Sequence, residues 1–506
     1  MGDRLPHSRL VALIVASALF MEMLDGTIIA VALPAMAESF ATDPVILTIG
    51  ITSYLLTLAV VIPASGWLAD RFGVRTVFAS AIIGFTFASL LCGISDSLSQ
   101  FTAARVLQGA CAALMSPVGR LAVLRATSKK DLVKAIALIT WPALIAPVIG
   151  PPLGGFIAST WSWRLIFFVN LPIGLLGAIF VLLYVPNHRG ESRRPFDSIG
   201  FVLTASSVAS LVAAVELLAH GGAGWTAIAF LFVFGIVAGI WAIRHVGGQA
   251  DRLVDLTIFR VKTFAATTLF GGILSRLTGG AMLYLLPLFF QIGLGLNAFA
   301  AGLMVIAYAF GNVAMKVVTT PVLRFFGFRR VLVVNGVLVG FSILACVAFS
   351  NTLPEVVMIG VLFAAGCFRS MQFTSLNTLT FADIPDSQRS SATTLSAMAQ
   401  QLSTGLGVAV AAMALNVSLS MRAGTTVSLG AFDFRVAFAV VALIAFVAIS
   451  RFLLLDSGAG ASYAQKLVTA CSGGLVKLLD PVSELNPFDH FGQAIGAGDP
   501  SPFPLR

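Results

Sequence analysis

Runs of about twenty apolar residues recur along this chain, and they constrain its fold more than any other feature. A helix that rises 1.5 Å per residue needs about 20 residues to cross a hydrocarbon core of about 30 Å. The runs are continuous and do not alternate polar with apolar residues, as the strands of a membrane barrel do. Only 10% of the 506 residues are charged and 58% are hydrophobic, whereas soluble domains carry about 25% charged residues. The sequence therefore predicts an all-α membrane protein.

The number of these runs and the charges between them predict a topology. We count fourteen spans, at 10–33, 44–65, 76–95, 99–121, 135–157, 164–185, 198–218, 225–243, 264–290, 298–319, 330–349, 354–380, 392–415 and 434–455. Nearly all loop Lys and Arg residues fall in alternate loops, starting with Arg71 and Arg75, whereas the opposite loops hold little beyond Arg164, Arg422 and Arg435. Because positive loops are retained in the cytoplasm, we predict a bacterial inner-membrane protein with both termini cytoplasmic. This bias also accounts for the net charge of +9, so no nucleic-acid partner is expected.

Several function classes lack their sequence signals. No GxxxxGK[ST] phosphate loop occurs, and no loop is long enough to fold a nucleotide-binding domain. The five histidines show no metal-ligand spacing, and the five cysteines never form a CxxC pair. Neither a metal, a cofactor nor an enzymatic activity is therefore expected. Nor do the scattered single charges indicate the continuous polar pore of a channel. Any uphill movement would have to be driven by an ion gradient.

An internal repeat divides the spans into two sets. GWLADRFGVRTVF (66–78) follows the second span and PVLRFFGFRRVLV (321–333) follows the tenth, with Phe72 aligned to Phe326, 254 residues further on. Each copy closes the second helix of a six-helix set, so spans 1–6 and 9–14 are predicted to form two related bundles. Two repeated bundles with a site between them near the midplane are typical of alternating access. The predicted divisions are a cytoplasmic N-terminus (1–9), an N-terminal bundle (10–190), an inserted two-helix hairpin with its linker (191–263), a C-terminal bundle (264–455) and a cytoplasmic tail (456–506).

Four motifs resemble those of one transporter family. GWLADRFGVRTVF is similar to the loop signature of the major facilitator superfamily. LDGTIIAVALP (24–34) and RVLQGACAALMSP (105–117) resemble the first- and fourth-helix signatures of its fourteen-span drug:proton antiporters of the EmrB/QacA type. PVIGPPLGGFI (147–157) is similar to the antiporter motif of exporters. The resemblance runs from about residue 10 to 455. It implies a proton-driven exporter of small amphiphilic compounds or drugs.

The 66–78 loop contains the first group of candidate residues. Its two glycines are expected to permit a tight turn. Asp70 is expected to accept hydrogen bonds from backbone donors at the start of the third helix, and the two arginines are expected to reach neighbouring helix ends. The resemblance implies a latch that stabilises the outward-open state, and a simple positive-inside anchor is the alternative. Arg324 stands in the second copy where Asp70 stands in the first, so a carboxylate latch is expected only in the N-terminal half. The candidates are Gly66, Asp70, Arg71, Gly73 and Arg75.

Prolines and glycines cluster in the fifth span. Such a cluster kinks a helix and lets another backbone approach closely. The resemblance implies that this bend seals the pathway and prevents leak, whereas packing alone would also explain the glycines. The residues are Pro142, Pro147, Gly150, Pro151, Pro152, Gly154 and Gly155.

Glu22 and Asp25 lie one helical turn apart within the first span. A charge at mid-bilayer costs about 2.5–3.5 kcal/mol on insertion scales, so such residues usually face a cavity or a partner. Counted from the span ends, Asp25 and Arg105 of the fourth span lie at depths that agree within about 3 Å, and we expect them to pair. Arg105 would then keep Asp25 ionised and leave Glu22 as the proton carrier. The alternatives are that Asp25 carries the proton, or that both carboxylates are structural.

Other polar residues within the spans bear on the substrate. With Arg105, Arg276 and Arg369 make three central arginines against two central carboxylates, which suits an anionic metabolite or a metal–carboxylate chelate. The alternative is that these arginines pair internally or with helix carbonyls. Lys316 and Glu216 lie nearer span ends and are able to extend to the interface. The substrate-cavity candidates are Arg276, Arg369, Gln108, Gln372 and Asn377.

The direction of transport depends on a single motif. Only the resemblance of 147–157 to an exporter motif opposes uptake by proton symport. The expected partners are a small-molecule substrate, protons and the lipid bilayer, and a monomer is the expected state.

Overall fold

The computed structural model describes residues 7–127, 132–187, 189, 196–220, 224–248, 256–385, 388–422 and 429–455. Within these ranges, fourteen helices are long and apolar enough to cross a membrane, which confirms the predicted all-α membrane fold. They are α1 Ser8–Ser39, α2 Thr48–Phe72, α3 Val74–Ile94, α4 Leu98–Ala126, α5 Leu138–Thr160, α6 Leu165–Tyr184, α7 Ser198–Leu218, α8 Trp225–His245, α9 Lys262–Gly293, α10 Ala298–Phe326, α11 Phe328–Ala348, α12 Glu355–Ala382, α13 Ser391–Met421 and α14 Ala431–Leu453. The predicted tail (456–506) lies outside the described residues.

Helix α9 is interrupted near one end. It consists of the segments Lys262–Thr268 and Phe270–Leu288 and ends in the π-helical turn Phe289–Gly293. The break is at Leu269, whose φ of −96° and ψ of −141° are not helical. A break in a membrane helix frees backbone groups that must find other hydrogen-bond partners.

Helices α1–α6 and α9–α14 form two six-helix bundles with the same internal contacts. In the first bundle α1 packs against α4, α5 and α6, α2 against α4, and α3 against α4 and α6. The second bundle repeats these pairs eight helices later, with α9 against α12, α13 and α14, α10 against α12, and α11 against α12 and α14. Helices α7 and α8 pack against each other, and α7 also contacts α2 and α13. The hairpin therefore lies along a seam where one helix of each bundle meets the other.

The two bundles share an apolar core at one end only. We call the half that contains the α3–α4 loop the outer half, and the half that contains the 66–78 loop the inner half, after the predicted topology. In the outer half, residues of both bundles belong to a single buried cluster that includes Ile28, Leu33, Tyr284 and Phe290. In the inner half, the N-terminal bundle has its own cluster, which Met398 of the other bundle joins among the buried residues, and the C-terminal side has two separate ones. The described bundles are thus closed together on the outer side and pack separately on the inner side.

Candidate functional site

Asp25 lies in a buried hydrogen-bond network between four helices. Arg105 Nη1 of α4 donates to Asp25 Oδ2 at 2.6 Å, and Gln108 Nε2 donates to Asp25 Oδ1 at 2.9 Å. Asn170 Nδ2 of α6 donates to the same Oδ1 at 3.0 Å. Ser89 Oγ of α3 accepts from both Gln108 and Asn170, at 2.8 and 3.2 Å. The Asp25–Arg105 pair predicted from helix depth is therefore present.

Arg105 also connects this network to α2. Its Nε donates to the Gly50 carbonyl at 3.2 Å, and its guanidinium lies 4.2 Å from the centroid of the Tyr54 ring. Gln108, which was predicted to line the substrate cavity, is fully buried within the network and accepts from Arg105 Nη1 at 2.5 Å. Both oxygens of Asp25 therefore have hydrogen-bond donors, and one of these donors is charged.

Glu22 lies outside this network although it is one turn from Asp25. Its side chain is 3% exposed, and its Oε2 has no hydrogen-bond partner among the described residues. The charges of Arg120 and Asp25 act on it electrostatically. Gly26, on the same stretch of α1, is exposed and has nothing within 4 Å of an added Cβ. The middle of α1 thus carries Asp25, whose two oxygens both accept hydrogen bonds, and Glu22, which has an oxygen without a partner among the described residues. It also carries the exposed Gly26.

The predicted antiporter motif packs α5 between α1 and α10. An added Cβ at Gly154 would lie 2.8 Å from the carbonyl oxygen of Ile28, three residues from Asp25. At Gly155 it would meet the backbone of Ala298 at the start of α10. Gly150 likewise has Thr27 of α1 against it. These close backbone contacts belong to the outer half, where the bundles share their core.

All the prolines of the motif lie within one continuous helix. This helix begins at Leu132, before the membrane-spanning part named α5, ends at Thr160, and includes Pro142, Pro147, Pro151 and Pro152. Pro151 and Pro152 present their backbone to Gly302 of α10. The motif therefore brings two bundles into contact at a surface without bulky side chains.

Arg276 has a structural partner in the interrupted helix α9. Its Nη1 donates to the Thr267 carbonyl at 2.7 Å, just before the break at Leu269, and its Nη2 donates to Asn377 Oδ1 of α12 at 3.0 Å. The side chain is 5% exposed. This is the alternative foreseen for the central arginines, a bond to a helix carbonyl, and it also accounts for Asn377.

Arg369 of α12 and Lys316 of α10 lie within electrostatic range of each other in the C-terminal bundle. Lys316 Nζ donates to Thr374 Oγ1 at 2.9 Å, and the Arg369 charge acts on it electrostatically. The Arg369 guanidinium lies 5.6 Å from the centroid of the Tyr308 ring, and its Nε would be 2.9 Å from a Cβ added at Gly279. Both cationic side chains are half-buried. Lys316 therefore contacts α12 and does not simply extend to the interface.

Gln372 does not face an open cavity. Its Oε1 accepts from Asn335 Nδ2 of α11 at 2.9 Å, its Nε2 donates to the Leu332 carbonyl at 3.3 Å, and the side chain is buried. It connects α12 to α11 within one bundle, so the substrate-cavity role predicted for Gln372 is not supported by its contacts.

The 66–78 loop differs in three ways from the sequence prediction. Gly66 lies inside α2, and the turn depends on Gly73 alone, whose φ is +95°. Asp70 Oδ1 accepts from Arg125 Nη2 of α4 at 3.0 Å, and no side chain caps α3. Arg71 and Arg75 make no hydrogen bond or ion pair within the described part of the chain. The backbone-donor role for Asp70 and the helix-end contacts for the two arginines were thus wrong, because Arg125 of α4 supplies the donor.

In the repeated loop, Gly327 has the equivalent φ of +75°. Arg329 Nη2 donates to the Leu453 carbonyl at the end of α14, at 2.8 Å. The two loops therefore share their turn geometry but use different side-chain contacts.

Glu216 of α7 is buried rather than extended to the interface. It is 7% exposed, and its Oε1 accepts from Thr52 Oγ1 of α2 at 2.7 Å. Snorkelling requires an unobstructed path to water, and the seam between α2 and α13 closes over this side chain.

Comparison with known proteins decides the family. The family model of the Major Facilitator Superfamily matches residues 15–408 and 268–465. The chain belongs to the major facilitator superfamily. It is accordingly a membrane transporter and not an enzyme, as its sequence predicted.

Two similar relatives carry the same name. The "Putative multidrug resistance protein MdtD" of Serratia proteamaculans (strain 568) is 42% identical over 409 residues, 79% of this chain and 83% of the relative. That of Escherichia coli O6:K15:H31 is 39% identical over 440 residues, 86% and 93% of the two chains. The stretches GWLADRFGVRTVF, SPVGRLAVLR and SLNTLTFADIPD of this sequence predict the same likeness to MdtD, and these relatives confirm it.

Solved structures share the fold at low identity. A bacterial homolog of the human lysosomal transporter Spinster, in an inward-facing and unoccupied conformation, is 15% identical with a TM-score of 0.63 over 92% of this chain and 99% of its own. An auto-inhibited POT family peptide transporter is 15% identical with a TM-score of 0.66 over 88% and 96%.

Proposed function

We propose that this protein is a proton-driven antiporter that exports small amphiphilic compounds across the bacterial inner membrane, with both termini in the cytoplasm. The observation that carries the proposal is the contrast between the two carboxylates of α1. Asp25 is bonded through both oxygens, whereas Glu22 is equally buried and has an oxygen without a hydrogen-bond partner among the described residues. The relatives' name, a putative multidrug resistance protein, supports amphiphilic substrates and an outward direction.

In this mechanism Asp25 stays charged and Glu22 exchanges the proton. Burial in an apolar site favours the uncharged form of a carboxylate, so Glu22 is stable when protonated and releases its proton once water reaches it. Its position on α1, about one and a half helical turns below Thr27 and Ile28, connects it to the glycines of α5. A change of charge at Glu22 is thereby coupled to the contact that closes the outer half.

Two other groups have proposed roles in the cycle. Asp70 belongs to a latch on the inner side that stabilises the outward-open state, in which the inner halves of the bundles come together. Arg125, from the same bundle, binds its carboxylate while the outer half is closed. The backbone contacts of Gly155 and Gly302 seal the outer side while the inner side is open. Alternating access needs the inner and the outer halves to close in turn.

Proteoliposomes with an imposed pH gradient test the role of Glu22. Glu22→Gln keeps the shape of the side chain and removes its proton exchange, so we expect passive substrate exchange to continue and gradient-driven accumulation to cease. Glu38→Gln, at an exposed carboxylate of the same helix, is the matched control and should accumulate substrate normally. Full gradient-driven export by Glu22→Gln would refute the assignment.

Export of an anion, such as an acidic metabolite or a metal–carboxylate chelate, is the second candidate. The observation that favours it is the proximity of two cations, Lys316 and Arg369, whose described contacts are a hydroxyl, aromatic rings and backbone. Bringing like charges together in a poorly solvated site is unfavourable unless an anion compensates them. Arg276 is not counted among these cations, because it donates hydrogen bonds to the Thr267 carbonyl and to Asn377.

Proton movement on substrate addition separates the two candidates. Acid-loaded proteoliposomes would receive either a lipophilic cation or a tricarboxylate chelate, and proton release would be recorded. Release with the cation supports the amphiphile exporter. Release with the anion alone, lost in Lys316→Gln and Arg369→Gln, would support the second candidate.

A further inference from the structure

Glu216 is the one carboxylate within α7, and it lies at the seam that the inserted hairpin covers. Its Oε1 accepts from Thr52 Oγ1 of α2 at 2.7 Å. Helix α7 packs against α2 of the N-terminal bundle and α13 of the C-terminal bundle. A side chain in this position is buried only while the two bundles lie close together along α7.

Glu216 also lies near the C-terminal bundle. Both Glu216 and Asp43 are within electrostatic range of Tyr284 of α9. Tyr284 is fully buried in the core shared by both bundles, and its hydroxyl has no hydrogen-bond partner among the described residues. The outer half therefore contains an acid and a phenol from different parts of the chain that approach one another only when this half is closed.

A second contact connects Glu216 to the Asp25 network. Thr52 lies two residues from Gly50, whose carbonyl accepts from Arg105 Nε. The outer end of α2 thus binds the Asp25 network through Gly50 and the hairpin through Thr52. A displacement of α2 would change both contacts together.

Just beyond the end of α7, His220 follows Glu216 by four residues in the sequence. Among the described residues, besides Tyr284 and Asp43, the helices packed against α7 carry their charged residues at or next to their ends. These are Asp70 and Arg71 on α2, Arg389 and Arg422 beside α13, and Arg244 and His245 on α8.

We propose that Glu216 is a second proton-binding site, on the inserted hairpin, and that its protonation holds the outer half of the seam closed. Closure removes the carboxylate from water, which favours its protonated form. Opening exposes it to the external solution, where the proton is returned to the side from which it came. This proton sets the balance between the open and closed outer half and does not cross the membrane. The inference rests on the alternating access of the proposed function, but not on which carboxylate of α1 carries the transported proton.

Distance measurements between spin labels test this proposal. Ser99→Cys and Asn351→Cys place labels at exposed outer positions of the two bundles, in a variant without the five native cysteines. In the otherwise unchanged protein, we expect the distance distribution to shift to longer values as the pH rises from 5 to 8. Glu216→Gln should remain at the short distance throughout, because its amide accepts from Thr52 but cannot ionise. Glu38→Gln, which removes an exposed outer carboxylate, should keep the full shift.

Thr52→Val provides a second variant that leaves Glu216 ionisable. It removes the hydroxyl donor, so the shift to longer distances should remain but with its midpoint displaced. A full pH-dependent shift in Glu216→Gln would overturn the proposal. Transport keeps the two proposals distinguishable, because Glu216→Gln should still accumulate substrate against its gradient, more slowly, whereas Glu22→Gln should not.

Discussion

At the scale of single residues, the sequence predicted the depth of a charged group but not the direction in which it points. Asp25 and Arg105 were paired correctly because residue number along a helix converts directly into depth. Ser89 and Asn170 were not found, because the rotation of α3 and α6 about their axes depends on packing against other helices. Asn170 stands within the apolar stretch WSWRLIFFVNLPIG (161–174), and an Asn in such a run is the available signal. The same rotation turns Gln108 into the network and away from a cavity.

Asn170 provides a test of the network at this scale. Asn170→Ala removes a donor to Asp25 and leaves a charged oxygen with one bond fewer, which typically costs about 1–3 kcal/mol. We expect a lower melting temperature in detergent and slower transport of every substrate. Asn351→Ala, at an exposed loop position, should change neither. An unaltered melting temperature in Asn170→Ala would show that Asp25 does not depend on this bond.

Arg276 provides the corresponding test for the C-terminal bundle. Arg276→Ala would leave the Thr267 carbonyl at the break of α9 without this donor. The expected result is a loss of stability of about 1–3 kcal/mol and a uniform decrease in transport of cations and anions. A selective loss of anion transport, with normal thermal stability, would return Arg276 to the substrate site.

At the scale of helices, small residues decide which elements can touch. A Cβ added at Gly155 would meet backbone atoms of Ala298 and would lie 3.0 Å from Phe299 Cα. Backbone cannot move aside as a flexible side chain can, so Gly155→Ala should separate α5 from α10 and favour the open outer half. Gly360→Ala in α12 is the matched control, because nothing lies within 4 Å of its added Cβ. The Ser99–Asn351 label distance should lengthen in the first variant and stay unchanged in the second.

The two copies of the turn between helices show how far a repeat predicts function. Gly73 and Gly327 have similar positive φ values, so the shared motif predicted the shared backbone. Asp70 has Arg125 as its partner, whereas Arg324 stands exposed in the second copy. We therefore expect Asp70→Asn to reduce transport severalfold in vesicles and Arg324→Ala to leave it almost unchanged. Equal losses would indicate that both loops act only as positive anchors.

At the scale of the whole molecule, the repeat explains the helix contacts within each bundle and the two interfaces at which the bundles meet. Because the second bundle repeats the helix pairs of the first, the interfaces α5–α10 and α2–α13 are equivalent under exchange of the bundles. The sequence predicted the two bundles and the hairpin between them. It did not predict that one apolar core would be shared in the outer half, because that depends on which state of the cycle the chain adopts. Burial of Glu216 follows from the same closure and was missed for the same reason.

The orientation of the molecule in the membrane is testable at the two ends of α11. Arg330 lies in its first turn and Asn351 just beyond its end, and both are exposed. With positive loops retained in the cytoplasm, a membrane-impermeant maleimide should label Asn351→Cys in intact spheroplasts but Arg330→Cys only after permeabilisation, in a variant without native cysteines. If only Arg330→Cys were labelled in intact spheroplasts, the protein would have the opposite orientation in the membrane. That orientation would also place the closed half of the bundles toward the cytoplasm, and Glu216 would then exchange its proton with the cell interior.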